Sequence, residues 1–357
     1  MNILAFESSC DETSAAVVCR IGESFEVKSN IIASQIETHR LYGGVVPEIA
    51  SRAHVEAISR ITYEALLEAK ISLSEIDLIA VTANPGLIGA LLVGVNFAKA
   101  LAAANNIPLV AVDHIKGHIA ALYLSEDKPT PPFLALTASG GHTSIYHVKS
   151  YTDIEVIGAT RDDAIGESFD KIGRMIGIPY PAGKGFDALA KEGFIKATLD
   201  EKNFYKKYKK SESYKNSDMT LPSPALNDGS LDFSFSGLKT AAINLLHKYE
   251  QKGEEIDRAL FAARYTFEAV EAVAKKMGAA LTRYPGAPIA LSGGVAANSH
   301  LRARLTELAA VNKTKFFVPD RSLCGDNAAM IAAAGYYEFI NGNLSDSSLN
   351  ASAADSI

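Results

Sequence analysis

Two segments of the chain share one pattern, and this repetition limits the possible folds more than any other part of the sequence. Residues 3–18 (ILAFESSCDETSAAVV) and 133–148 (FLALTASGGHTSIYHV) each show an apolar strand, a small polar turn ending in Thr-Ser, and a second apolar strand. Each opens a block in which short apolar runs alternate with longer amphipathic runs, which is typical of α/β layers. We therefore predict a duplicated, two-lobed α/β fold with a phosphate-binding cleft between the lobes. Two unrelated hairpins are the alternative, because Gly and Ser turns are common.

Composition restricts the partners of the chain. Its 357 residues suffice for two domains of ordinary size, and a net charge of −6 gives no global reason to expect nucleic-acid binding. Three scattered cysteines favour a reducing cytoplasm over a disulfide framework. The most apolar stretch, LIGALLVGVNFAKALAAA, contains Lys99 and two glycines, so we expect no membrane partner. The N-terminus begins directly with a strand and shows no leader pattern.

Three glycine-rich turns follow predicted strands: SGGH at 139–142, PAGKG at 181–185 and SGGV at 292–295. Glycine allows a backbone to approach a ligand closely, and N–H groups at a helix start bind phosphate. Together the turns predict a nucleotide cleft, in which Asn298 would reach a ribose or base. No Walker A sequence is present, because PAGKGFD lacks the required spacing.

Carboxylates lie near these turns. Asp170 and Asp187 follow glycines at a spacing that suits the recognition of hydroxyl groups, whereas Asp11 and Glu12 occupy the first hairpin turn. In a kinase or ATPase, acidic groups at that turn hold a metal or activate water. Helix capping and solvated helix faces are the alternative roles for all of these side chains.

His114 and His118 are four residues apart in VDHIKGHIAALYL, so on a helix both imidazoles share one face and can bind one ion. The pair lacks the glutamate of the metallopeptidase pattern H-E-x-x-H, since Ile115 follows His114. Asp326, at a helix start after a strand, would face the pair across a two-lobed cleft and complete a His-His-Asp set. Capping of that helix is the main alternative for Asp326.

The sequence also predicts the limits of the lobes. We place the first lobe at residues 1–130 plus 322–345 and the second at 131–321. Within the second lobe, residues 197–228 form a Lys/Tyr-rich surface insertion, whose alternating side chains could grip an RNA backbone and stack on its bases. A solvated loop is the simpler alternative. Residues 346–357 are small and polar and are predicted to be a disordered tail.

Taken together, these segments resemble one family, the universal tRNA threonylcarbamoyladenosine transferases, called TsaD in bacteria. The resemblance extends from about residue 1 to about residue 340 and leaves out the Lys/Tyr segment and the tail. Its motifs occur in the family's order: FESSCDETSAAVV, YGGVVPEIASRAHVEAI, NPGLIGALLVG, DHIKGH, TASGGHTS, DDAIGESFDK, LDFSFSGLKT, LSGGVAANSHLR and CGDNAAMIA. The chain departs from the family pattern at Asn84, Ala182, Lys184 and Gly325 without losing a ligand.

The resemblance implies an actin/Hsp70/sugar-kinase-like (ASKHA) fold with the active site in the cleft. It implies transfer of threonylcarbamoyl from threonylcarbamoyl-AMP to N6 of the adenosine next to the anticodon, in tRNAs reading codons that begin with A. One metal per subunit, iron rather than zinc, would be held by His114, His118 and Asp326. Asp11 and Glu12 would lie near the reacting groups, and the adenylate would be bound by Thr137, Ala138, Ser139, Gly140, Gly141, Asp170, Gly183, Asp187 and Asn298.

The resemblance also implies partners and competing functions. A bacterial member would work with a paralogous TsaB-like subunit and a TsaE-like ATPase, whereas mitochondrial members act as homodimers. The alternatives are a metalloendopeptidase, an older description of the family, a non-catalytic scaffold subunit of the same fold, and a sugar kinase or chaperone-type ATPase. A scaffold or a kinase has no use for the His-His-Asp set.

Overall fold

Each half of the chain builds one five-stranded mixed sheet in the computed structural model, which describes residues 1–215 and 218–354. Continuous apolar runs form the central strands of both sheets, as expected where helices cover both faces. The strands of the first sheet are β1 Asn2–Glu7, β2 Glu12–Ile21, β3 Ser24–Ser34, β4 Leu78–Asn84 and β5 Leu109–Asp113. Those of the second are β6 Phe133–Ala138, β7 Thr143–Val148, β8 Ile154–Ala159, β9 Ile289–Ser292 and β10 Phe316–Phe317.

The two sheets have the same topology. Their strand orders are β3-β2-β1-β4-β5 and β8-β7-β6-β9-β10. The strands of each opening hairpin pair antiparallel, β1 with β2 and β6 with β7. The next strand pairs parallel with the first one, β4 with β1 and β9 with β6. The predicted duplication of an α/β unit is therefore confirmed.

Helices cover the sheets and connect their parallel strands. In chain order they are α1 Ile36–Arg40, α2 Pro47–Ala69, α3 Ile88–Asn105, α4 His114–Ala120, α5 Ile165–Met175, α6 Gly183–Thr198, α7 Phe204–Tyr208, α8 Glu212–Lys215, α9 Ser236–Lys252, α10 Arg258–Arg283, α11 Ser299–Val311 and α12 Ala328–Ile340. By length and composition alone α3 could cross a membrane. One of its faces, including Leu91, Val95 and Ala98, is buried against the first sheet.

The chain ends in the lobe where it began, because α12 packs on the first sheet and on α4. Ala328 to Ala333 are all fully buried in the core that also holds strand residues of β1, β4 and β5. The contact with α4 is tight: a side chain at Gly117 would place its Cβ 2.6 Å from Ile331 Cδ1. α12 therefore fixes the position of the segment that carries Asp326 relative to α4.

The segments after α12 and α6 differ in part from expectation. Residues 346–354 lie along the first lobe, since Ser352 N–H donates to Ala83 O at 2.9 Å and Lys99 Nζ donates to Leu349 O at 2.8 Å. Leu349 and Ala351 also pack on the apolar core, so this part of the predicted disordered tail is held against the first lobe. The 197–228 insertion contains α7 and α8. Residues 216–217 of the insertion and 355–357 of the tail lie outside the described part of the chain.

Candidate metal centre and cleft

The histidine pair lies on the short helix α4, directly after β5. Asp113 caps this helix, because its side chain accepts from the backbone N–H groups of Ile115 and Lys116. His114 is the first helical residue and His118 follows one turn later, so the two rings lie on one face with centroids 4.5 Å apart. Both side chains are buried. The sequence prediction of a strand-to-helix turn at His114 agrees with this geometry.

Asp326 reaches the same point from the segment before α12. The alternative role of Asp326, capping of α12, is taken by the next residue: the Asn327 side chain accepts from Met330 N–H at 3.1 Å. Asp326 Oδ1 lies 3.6 Å from His114 Nε2 and 3.3 Å from His118 Nε2. One ligand atom from each of the three residues lies within 4.8 Å of the others.

This donor set suits a metal ion. Two ligand atoms about 2.1 Å from one ion in tetrahedral array are roughly 3.4 Å apart, close to the distances from Asp326 to the imidazoles. His118 is fully buried; its Nδ1 has no hydrogen-bond partner in the described part of the chain, and its Nε2 lies 3.3 Å from Asp326 Oδ1. Burial alone lowers the pKa of His114, but the carboxylates of Glu7 and Asp326 raise it to about 9, which shows that the centre attracts positive charge.

A residue that the sequence patterns did not single out supports this centre. Glu7, at the end of β1, has a fully buried side chain and lies 2.9 Å from His114 Nδ1 through Oε2. Thr82 Oγ1 donates to the same oxygen at 2.6 Å. Within ILAFES this glutamate resembled only the polar end of a core strand. The sequence feature that could have identified Glu7 is a charged residue at the end of a strand whose other residues are apolar and buried.

The two Ser-Gly-Gly turns lie side by side at the ends of β6 and β9. Thr137 is paired with Ser292 across the parallel strands, and their hydroxyl oxygens are 3.0 Å apart. Side chains added at Gly140, Gly141 or Gly294 would meet nothing within 4 Å, so these turns leave open space for a ligand. Ala138 and Ser139 are buried at the same turn.

His142 connects this turn to the histidine pair. Its ring centroid is 6.4 Å from that of His114, and its charge helps to lower the pKa of Asp326, although burial acts in the opposite direction. Its backbone exchanges hydrogen bonds with Ser139. The turn of the second lobe therefore faces the metal centre of the first. His142 was not among the predicted site residues, although it directly follows the Gly-Gly pair.

The other predicted adenylate residues line the second lobe. Asp170 Oδ1 accepts from Ala182 N–H at 2.7 Å and so holds the loop that starts α6 at Gly183. Burial raises the pKa of Asp170. A side chain added at Gly183 would meet nothing within 4 Å, which leaves the start of α6 open.

Asp187 and Asn298 both contact the start of α11. Asp187 Oδ1 accepts from Ser299 N–H at 2.9 Å, and Asn298 caps the helix by accepting from Leu301 N–H at 2.9 Å. Asn298 therefore has a capping role that the sequence analysis did not assign to it. The two side chains are brought together at the edge of the second lobe.

Asp11 lies in the first hairpin turn, and Glu12 is the first residue of β2. Asp11 is buried, and Glu12 accepts from Ser34 Oγ at 3.2 Å. Burial, Asp326 and Asp11 raise the pKa of Glu12 to about 9. Burial raises the pKa of Tyr180 most, and the negative charge of Asp11 raises it further. The turn that carries Asp11 is therefore near the loop before α6. The turn therefore lies between the metal centre and the second lobe.

Comparisons with known proteins agree with this architecture. The family described as TsaD, tRNA N6-adenosine threonylcarbamoyltransferase, matches residues 26–333. The protein of that name from Clostridium botulinum (strain 657 / Type Ba4) is 47% identical over 351 residues, which cover 98% of this chain and 96% of the relative. The one from Lactobacillus delbrueckii subsp. bulgaricus is 47% identical over 358 residues, covering 98% and 94%.

Solved structures that resemble the chain share its fold at low identity. HypF of T. kodakarensis superimposes with a TM-score of 0.60 at 14% identity, over 98% of this chain and 49% of HypF. Component A of the Acidaminococcus fermentans (R)-2-hydroxyglutaryl-CoA dehydratase gives a TM-score of 0.51 at 13% identity, over 95% and 98%. These similarities concern the two-lobed ASKHA fold alone.

Proposed function

Since the chain belongs to the TsaD family of tRNA N6-adenosine threonylcarbamoyltransferases, we propose that its cleft uses threonylcarbamoyl-AMP as the donor. The acceptor is N6 of the adenosine next to the anticodon, in tRNAs reading codons that begin with A. The observation that carries the proposal is the meeting of two half-sites: the His-His-Asp centre of the first lobe faces the open Ser-Gly-Gly turn of the second.

His114, His118 and Asp326 would hold one metal ion per subunit. Two imidazoles and one carboxylate with open positions occur in non-haem iron sites and in catalytic zinc sites alike, so our preference for iron over zinc rests on the family resemblance. When bound, such an ion acts as a Lewis acid toward an oxygen of the acyl donor. The full burial of His118 and the 3.3 Å approach of its Nε2 to Asp326 Oδ1 support this assignment.

The second lobe would bind the adenylate. The backbone of Thr137, Ala138, Ser139, Gly140 and Gly141 offers N–H groups in an open turn that suits phosphate oxygens. At the other end, Asp170, Gly183, Asp187 and Asn298 would recognise the ribose and base. Support comes from the hydrogen bonds that fix Asp170 to the loop before α6 and Asp187 to the start of α11.

The reaction needs orientation more than a covalent nucleophile. The N6–carbon bond forms, the bond between that carbon and the AMP phosphate oxygen breaks, and AMP leaves as the anion. The amine loses one proton, for which we propose the carboxylate of Asp11 as the acceptor. Glu12, beside it, has a pKa raised to about 9, so at neutral pH it is protonated and would take part as a proton donor or through its small ionised fraction. Holding both reactants in line lowers the barrier by removing the entropic cost of their encounter.

A peptidase function has no support in this site. The general base of that chemistry would occupy the position after His114, where Ile115 has a buried aliphatic side chain. The scaffold alternative fails on the intact His-His-Asp cluster.

We also propose that the chain acts in the cytoplasm with protein partners, a TsaB-like subunit and a TsaE-like ATPase if the source is bacterial. An exposed apolar stripe along α2 supports a protein interface: Val55, Tyr63 and Leu67 are each more than 60% exposed and lie at multiples of four residues. A groove between α2 and α3, lined by Ile58, Phe97 and their neighbours, adjoins this stripe.

The test is direct. The purified protein, with its partner proteins and threonylcarbamoyl-AMP, should convert an unmodified tRNA transcript to the threonylcarbamoyl nucleoside, measured by mass spectrometry of the digest. Asp326→Ala should abolish product and bound metal together. Asp320→Ala, an exposed carboxylate on the same segment, is the matched control and should change neither. Absence of product with all components present, or a fully active Asp326→Ala protein, would overturn the proposal.

A further inference from the structure

The Lys/Tyr-rich insertion has two chemically different faces, which the sequence alone did not separate. Its aromatic rings point inward: Tyr208 is 1% exposed and meets Phe194 edge to face at 4.8 Å. Tyr205 OH donates to Glu271 on α10 at 3.2 Å, and Phe204 packs on the same core. These rings anchor the segment to the second lobe, so they are not available to stack on nucleic-acid bases.

The lysines of the same segment point outward. We call residues 202–210 the lysine segment; its five lysines, Lys202, Lys206, Lys207, Lys209 and Lys210, are all exposed. Two of them have acidic neighbours, Lys206 with Glu307 at 3.3 Å and Lys207 with Asp200 at 2.6 Å. Within residues 1–215 and 218–354, no carboxylate oxygen lies within 4 Å of the ammonium groups of the other three, although the charge of Lys209 acts on Glu268 from a longer distance, where it opposes the rise in pKa that burial causes. The segment therefore presents unneutralised charge on a fixed backbone.

A groove leads from this segment toward the cleft. It has a volume of about 560 Å³ and runs between α6, α7 and α11, and Lys191 adds a cation to its lining. Arg304 also lines it but is paired with Glu271 at 2.7 Å, and the carboxylates of Glu201 and Glu307 line the same groove. Ser299 lines it as well, and the N–H of Ser299 donates to Asp187 at 2.9 Å. Lys191 lies one helical turn after Asp187 on α6. The basic surface is thus continuous with the wall of the adenylate site.

We propose that the lysine segment and Lys191 form a tRNA-binding surface that contacts the phosphate backbone rather than the bases. The proposal rests on the function proposed above, which makes tRNA the acceptor. Because the whole chain carries a net charge of −6, a polyanion must be held by a local basic surface. Flexible ammonium groups bind phosphates without reading sequence, and the inward rings leave no stacking platform. This surface therefore binds the tRNA body and leaves recognition of the target adenosine to the cleft.

The experiment compares two triple variants. K202Q/K209Q/K210Q removes the three lysines without ion pairs, and K70Q/K248Q/K313Q removes three exposed lysines elsewhere. Binding to a tRNA transcript without donor is measured over a range of salt concentrations, and tRNA modification is measured in parallel. The first variant should bind about tenfold more weakly and lose about 2 from the magnitude of the log–log salt slope. KM for tRNA should rise with kcat unchanged, whereas the control variant should match wild type.

Further measurements distinguish a loss of charge from a loss of folding, and binding of tRNA from binding of a partner protein. K202R/K209R/K210R keeps the charge and should retain wild-type affinity, and thermal unfolding should be the same for all variants. Unchanged tRNA affinity and salt slope in the Gln variant would overturn the proposal. So would a loss that appears only when a partner protein is present, since the surface would then bind protein. Failure of the proposed function would instead leave wild-type protein without product while tRNA binding could still be measured.

Discussion

Replacing Glu7 with glutamine should weaken metal binding although Glu7 is not itself a ligand. The Glu7 side chain is fully buried and contacts His114 Nδ1, Thr82 Oγ1 and the backbone N–H of Ser9. Burial raises the pKa of Glu7, but His114 outweighs it through its charge and hydrogen bond, so the carboxyl group remains ionised. An ionised Glu7 accepts from Nδ1–H, which leaves the lone pair of His114 on Nε2, the nitrogen that faces Asp326.

The expected loss of metal affinity follows from the hydrogen bond between the Glu7 carboxylate and His114. A buried hydrogen bond to a charged group contributes roughly 1.5–3 kcal/mol. At about 1.4 kcal/mol per tenfold change, its loss weakens metal binding about 10- to 100-fold, which is also typical for residues that orient a ligand histidine. Thr82→Val removes a neutral donor to the same carboxylate and should cost about tenfold or less.

The assay is a metal titration of the stripped protein against a competing chelator, with metal content measured by mass spectrometry. Urea unfolding of the metal-free variants serves as the control, since a purely structural role of Glu7 would lower their stability without a selective change in metal affinity. Glu7→Asp should recover part of the affinity. If Glu7→Gln binds metal as tightly as wild type, the carboxylate does not orient His114 and the reasoning is wrong.

Three further predictions concern packing, protonation and the cleft. Gly193→Ala would place a Cβ 1.8 Å from Ala259 O, so it should destabilise the protein by about 3 kcal/mol in thermal denaturation. Gly237→Ala, on α9 with nothing within 4 Å, should instead stabilise the protein by about 0.5–1 kcal/mol. If Gly237→Ala destabilised the protein more than Gly193→Ala, the close packing of α6 on α10 at Gly193 would be refuted. Burial lowers the pKa of His54, so the unfolded chain binds the proton more readily and stability should fall as the pH drops below about 6.5. Urea unfolding across that range should show a flatter profile for His54→Gln, and an unchanged profile would contradict this. Asn298→Ala should cost about 1 kcal/mol by loss of the helix cap and raise KM for the adenylate donor, whereas an unchanged KM would remove Asn298 from the site.

The duplicated fold could be predicted from the sequence because its hairpins are local and carry strong patterns. The amphipathic pattern of the sequence predicts long helices over 47–70 and 256–283, and α2 and α10 begin and end within two residues of these limits. α6 was missed, because its glycine-rich start, PAGKG, was interpreted only as a ligand turn. β3 was missed as well, since an edge strand with many exposed residues shows no clear alternation.

The residues of the candidate site likewise fall into those that the sequence could predict and those that only the structure identifies. Residues such as His114 and His118 could be predicted because one helix fixes their relative position. Asp326 depended on the predicted two-lobed fold and on the resemblance, because more than 200 residues separate it from the pair. Glu7 and His142 acquire their roles only through contacts between distant segments, which no local pattern reports. Asp326 and Asn327 show the limit most clearly: either could cap α12, and only the structure assigns the cap to Asn327.

The late position of α12 has a consequence for how the protein is made on the ribosome. All the strands of the second lobe have been synthesised by Phe317, so that lobe can close its core during translation. The first lobe, although synthesised earlier, lacks the helix that covers its sheet until about residue 340 has emerged. The same helix positions the last ligand of the metal centre. The nascent chain therefore cannot bring Asp326 to the histidine pair until α12 has emerged, so the candidate metal centre is assembled last.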